Sequence, residues 1–208
     1  MFSRVLAFSG FLVAAVSLRC TGQSRWPADK DSHQASAYVA DSIPQCLAAV
    51  PVITRDSLGP LHPGQPLAGL ERHCGQLRYA WEWGNEGIAT PAVLLRFGDA
   101  AVEVEFPDTL PTAKTYRIRT ESPAVRTVEG FGVGSQIQGM TRAWGAPTYG
   151  SGECVLYVWF KSRPGLSFRV RVPEAWECED VQAVERGGTS KLPAGTTVRE
   201  VLLFSPRP

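Results

Sequence analysis

Two glutamates, Glu103 and Glu105, alternate with Val102, Val104 and Phe106. Successive strand side chains point to opposite faces, so both carboxylates share one side at roughly 6.5–7 Å between Cα atoms. That spacing overlaps the carboxyl separations of glycosidases and makes a Glu-dependent envelope hydrolase the enzymatic reading of the chain. General-acid work needs one carboxyl raised by burial, and no apolar wall is predicted beside this pair. Solvent-facing glutamates on a half-buried strand account for it better. Gly130-x-Gly132-x-Gly134 places glycines ahead of a helix, but Gly134-Ser135-Gln136 lacks the lysine of a phosphate loop and no parallel β-α-β unit surrounds it. Gly150-Ser151-Gly152 has the wrong spacing for a nucleophile elbow. His33, His62 and His73 are scattered and no Cys-x-x-Cys occurs, so no metal or other cofactor is expected. The chain reads as a non-enzyme.

Cysteine usage bears on compartment. Met1 to Arg4 are followed by an uncharged, mostly apolar run from Val5 to Leu18. That run is too short for a membrane span, which needs about 20 residues, and fits a signal peptide over residues 1–19. Cys20 directly after it, with a polar stretch behind, is the arrangement of a lipoprotein acylation site, although Ser17, Leu18 and Arg19 are not the small residues such sites carry. Cleavage near Ala15-Val16-Ser17, giving an unanchored exported protein, is the alternative. Residues 20–40 read as a flexible tether. Cys46, Cys74, Cys154 and Cys178 remain, an even number in an oxidising compartment. Of their three pairings, the local one places a bridge in each half. Loss of residues 1–19 leaves nineteen basic against twenty acidic side chains, which excludes the basic excess of a nucleic-acid-binding domain.

The elements that position these residues come in two copies. Residues 64–75 recur as residues 134–145 without a gap: Gly64, Gly69, Arg72 and Gly75 match Gly134, Gly139, Arg142 and Gly145, and Leu67 and Leu70 match Ile137 and Met140. Self-similarity of this kind marks two copies of one supersecondary unit. A short helix is expected in each, with Pro66 in the first turn and Gly75 as stop, then Ser135 as N-cap and Gly145-Ala146-Pro147 as stop. Hairpins follow at 93–97 with 102–106 and at 155–160 with 166–170, and third strands at 115–119 and 199–204. The expected fold is therefore α+β: two tandem units of a short helix plus a three-stranded antiparallel sheet, disulfide-stapled, over residues 41–127 and 128–208, their strands forming a continuous or paired antiparallel sheet. An extra segment in the first copy holds Tyr79, Trp81 and Trp83 at spacing two, which puts three aromatics on one side of an extended chain. Such a row either grips a partner or plugs the end of a core. Residues 173–193, with Glu177, Glu179 and Asp180, read as a bridged loop carrying a solvated charge cluster.

The stretch Glu129-Gly130-Phe131-Gly132-Val133-Gly134-Ser135 through Trp144-Gly145-Ala146-Pro147, with its helix and following strands, resembles the exported bacterial superfamily of the β-lactamase inhibitor proteins. That superfamily includes the small lipoprotein of the outer-membrane β-barrel assembly machinery. The resemblance implies tandem helix-plus-sheet repeats with one disulfide each; no inhibitor contact residue carries over. The expected function is non-enzymatic binding of another envelope protein, through the exposed sheet face and Tyr79, Trp81 and Trp83. A membrane-anchored assembly lipoprotein, attached by a lipid at Cys20, is the alternative.

Overall fold

Both copies of the duplicated segment fold as a helix followed by strands, and all the long strands join one sheet. The structure, a computed structural model, describes residues 46, 49–75, 77, 79–83, 89–109 and 112–204. The expected signal peptide and tether, with Cys20, lie outside the described residues. Strand β1 (Val52–Ile53) precedes helix α1 (Leu67–Cys74), β2 (Tyr79–Trp83), β3 (Ala89–Phe97), β4 (Ala100–Glu105) and β5 (Arg117–Thr120). Strand β6 (Arg126–Thr127) precedes α2 (Ile137–Trp144), β7 (Pro147–Gly152), β8 (Val155–Phe160), β9 (Leu166–Val170), α3 (Cys178–Gly187) and β10 (Val198–Phe204). The short β1 and β6 pair in parallel.

Gly75 and Gly145 stop α1 and α2 at φ 73° and 91°, a region that disfavours any residue with a Cβ. Their N–H groups return to the carbonyls of Glu71 and Thr141. Ser135, the expected N-cap of α2, does not cap it. Its Oγ accepts the Gly132 N–H and Arg126 Nη1, each at 3.0 Å, and Gln136 occupies the cap position.

The expected units of three strands each are overturned. Eight strands form one antiparallel sheet in the order β2-β3-β4-β5-β10-β9-β8-β7, so each copy supplies four. The segment of Tyr79, Trp81 and Trp83 is not peculiar to the first copy, because β2 holds the edge position that β7 holds at the other end. The loop expected over residues 173–193 contains α3. Glu177, Glu179 and Asp180 form its first turn and the flank before it, where negative charge faces the positive end of the helix dipole, and the Glu177 N–H donates to Asp180 Oδ2 at 3.0 Å.

The duplication survives as a pseudo-twofold axis between β5 and β10. In the first copy Gly64 N–H donates to Thr115 O and Thr115 N–H to Gln65 O; in the second Gly134 N–H donates to Val198 O and Val198 N–H to Ser135 O. Thr115 is thereby the counterpart of Val198, and Arg119 of Leu202. The register agrees: Ile118 faces Leu203, Thr120 faces Val201, and Arg119 faces Leu202 on the axis itself. One core lies under the helices. Leu67 and Leu70 of α1, Ile137 and Met140 of α2, and Val181 and Val184 of α3 are buried with Val93, Val104, Ile118, Phe160, Phe168 and Val201 of the sheet. Trp144 closes it, edge-on to Phe131 and Phe160 at 4.9 and 5.3 Å. The local disulfide pairing forms: Cys46–Cys74 inside the core and Cys154–Cys178 between the β7–β8 turn and the first residue of α3.

Candidate functional site

Strand alternation assigns every second residue to the face away from the core, and among the described residues no helix packs there. Cross-strand pairing arranges that face in rows. The central row runs Thr148, Trp159, Ser167, Leu202, Arg119, Glu103, Leu94 from β7 to β3. On one side of it Tyr157, Arg169 and Glu200 line up, and on the other Phe204, Arg117 and Glu105. Complementary charges opposite one another on neighbouring strands stabilise a sheet.

The middle of this face is an ion network. Arg117 grips Glu105 through Nε and Nη2 at 2.8 and 2.6 Å, and Arg119 grips Glu103 the same way at 2.7 and 2.8 Å. Arg119 also approaches Glu105 at 3.3 Å and Glu200 at 3.5 Å, while Arg169 lies 3.9 Å from Glu200. The Arg119 guanidinium thus reaches a β4 partner on one side and a β10 partner on the other. The pseudo-twofold axis relates Arg117 to Glu200 and Glu105 to Arg169, so the second copy carries the pair with its charges exchanged, and Arg119 breaks the symmetry. Glu103 and Glu105 do share a face, as their spacing predicts, but Glu105 is buried at 1% exposure and Glu103 half-buried; Glu200 beside them is 3% exposed. Both carboxylates of the supposed acid–base pair are held fork to fork by their own arginines.

Burial pushes Glu105 above the ordinary carboxylate value, with Arg117 and Arg119 pulling against it, and pushes Glu200 up in the same way against Arg119 and Arg169. Burial disfavours the Arg119 cation, but its bonds to Glu103 and the charges of Glu200 and Glu105 outweigh that and raise its pKa further. A carboxyl whose folded value lies above its unfolded value, near 4.5, binds its proton more tightly in the folded state. Its contribution to stability is complete below 4.5 and is lost as pH rises through the raised value. We therefore expect urea unfolding to show Glu200→Gln falling behind wild type as pH drops from 7 toward 4.5. A constant difference across that window would contradict the burial argument.

Trp159 flanks the network. Its indole lies on Gly150 of β7, where an added Cβ would come within 2.7 Å of the ring, and the side chain stays 38% exposed. Glycine at 150 thus lets a flat aromatic rest on the strand and face solvent in a fixed pose. Tyr116, 52% exposed, meets Phe204 edge-on at 6.3 Å, and Arg117 stands 5.9 Å from the same ring. Of the residues singled out from sequence, Tyr79, Trp81 and Trp83 lie on edge strand β2, in register with Val93, Pro91 and Ala89. Strand β2 is one edge of the sheet and β8, which carries Trp159, lies next to the other, so the structure does not bring them together. Arg117, Arg119, Arg169, Glu200 and Trp159 were missed. The signal for two of them was present: Arg117 and Arg119 at spacing two match Glu103 and Glu105 at spacing two on the next strand.

A shallow cleft of about 210 Å³ lies elsewhere, lined by Ile53, Thr54, Arg55, Val128, Glu129, Arg163 and their neighbours, with Arg163 paired to Glu129. Among the described residues no group of His, Cys, Asp and Glu could hold a metal ion.

No protein-family model matches the chain, and neither does any curated protein sequence. Among solved structures the chain is similar to the uncharacterized protein YfeY from Escherichia coli, with a TM-score of 0.44 and 15% identity over 77% of this chain and 99% of that one.

Proposed function

We propose that the chain is a non-enzymatic protein-binding module of the cell envelope, and that it takes its partner on the helix-free sheet face around Trp159. The observation that carries this reading is the face itself: a wide sheet surface with no helix of the described residues upon it, bearing aromatics in fixed poses around charges already paired with one another. Rigid aromatics and arginines dominate the energetics of protein interfaces because they bury large areas with few rotamers to freeze. The mutual pairing of three arginines with three glutamates gives the face no net charge from the network, which suits a protein surface better than a polyanion. Two disulfides fit an oxidising compartment.

The test is affinity capture from solubilised envelope by the immobilised chain with both bridges intact, beside Trp159→Ala and Trp81→Ala/Trp83→Ala. The captured protein should bind Trp159→Ala about 30-fold more weakly, the equivalent of roughly 2 kcal/mol. A partner equally tight on both variants, or no partner at all, would remove the reading.

A further inference from the structure

The two disulfides differ in access and in the backbone that carries them. Cys46 is 0% exposed and Cys74 7%, so that bridge opens only with the core. Cys154 is exposed and Cys178 half-buried. Cys154 also sits in a two-residue turn between the paired Gly152 and Val155, with Glu153 at φ 50° and Cys154 at φ 64°. These are the only non-glycine residues with positive φ among those described. Hairpin turns of this kind favour Asn-Gly because both positions are left-handed; Glu-Cys is held there against its side chains' preference. The bridge ties that turn to the first residue of α3, which otherwise rests on β7 and β8 through buried Val181 and Val184 and a hydrogen bond from Ser151 to Glu185.

We propose that Cys154–Cys178 is a thiol–disulfide exchange site for a dithiol donor, and that its reduction frees the strap bearing α3 from the β7 end of the sheet. A donor thiolate attacks the exposed Cys154 sulfur, the Cys154–Cys178 bond breaks, and Cys178 leaves as a thiolate that takes a proton from water. The donor's second thiolate then attacks its own sulfur in the mixed disulfide and releases Cys154, which is protonated in turn. Two electrons pass: the donor ends as a disulfide and the protein as two thiols. Opening relaxes the left-handed turn and removes the one disulfide that cross-links α3 to the sheet among the described residues, leaving the apolar contact between α3 and β7 free to open.

The experiment uses the folded full chain with Cys20 alkylated beforehand and dithiothreitol as the donor. Timed alkylation and peptide mass spectrometry follow each bridge, and hydrogen exchange follows residues 147–187. Cys154–Cys178 should open on the order of tenfold faster than Cys46–Cys74, or more, with faster exchange confined to β7, the turn and α3. Cys154→Ser/Cys178→Ser should reproduce that exchange pattern without reductant. Should this variant not fold, the wild-type time course decides alone. Simultaneous loss of both bridges, or reduction of Cys154–Cys178 with unchanged exchange in α3 and β7, would overturn the proposal. Neither readout depends on partner binding.

Discussion

Arg119→Ala should lower the stability of the folded chain by about 3 kcal/mol, read as a fall in the urea midpoint with unchanged slope. Arg119 is the one residue of the network that touches all three glutamates, Glu103 at 2.7 Å, Glu105 at 3.3 Å and Glu200 at 3.5 Å. Its removal leaves Glu103 without its fork and takes from Glu200 its nearer arginine, Arg169 standing at 3.9 Å. Burying charge without a partner costs more than the pair ever contributed, and water admitted around the remaining partly exposed side chains limits the loss to the lower end of the expected range. Arg119→Lys should not restore the wild-type value, since an ammonium cannot grip Glu103 through two parallel bonds. Adding Glu103→Gln to Arg119→Ala should recover about 1 kcal/mol by removing one stranded charge. A loss below about 1 kcal/mol in the single variant would show the network to be solvated surface pairing.

Cys46→Ala/Cys74→Ala should cost about 3.5 kcal/mol or more. The bridge spans 28 residues, and in the chain-entropy model a closed loop of that length removes about that much from the unfolded state. Its sulfurs also pack inside the core, and it seats Cys46, whose N–H donates to Arg96 O at 2.9 Å. The exposed bridge spans 24 residues and carries a similar entropic term, but it holds a left-handed turn in place, so Cys154→Ala/Cys178→Ala should lose less. Parallel urea titrations of the two double variants decide the order; equal losses would remove the distinction between a core bridge and a surface one.

The duplicated helix was legible in residues 64–75 and 134–145 because its glycines and its apolar spacing are local properties, and so were the two inner hairpins. Which strands join the copies was not. Strands β5 and β10 pair across about eighty residues of chain, and neither Arg117–Thr120 nor Val198–Phe204 shows by its own pattern which strand it will meet. Pro-Thr-Tyr-Gly-Ser-Gly in β7 has the composition of a turn; it is an edge strand whose Gly150 is vacated for the Trp159 ring. Helix α3 was hidden by charge: Glu177, Glu179 and Asp180 look like solvated loop until Val181 and Val184 three residues apart are read as its buried stripe. At the candidate site the alternation of Glu103 and Glu105 was visible, but their enclosure depends on Arg117 and Arg119 of β5, which only the assembled sheet brings beside them.

Recognition through the helix-free face is tested most directly by photo-crosslinking in the cells that make the protein. A photoreactive residue replaces either Thr148, exposed beside Trp159 on that face, or Gln138, exposed on α2. The account predicts a discrete protein adduct from position 148, lost when Trp159→Ala is added, and none from position 138. An adduct from position 138 alone, or none from either, would contradict it.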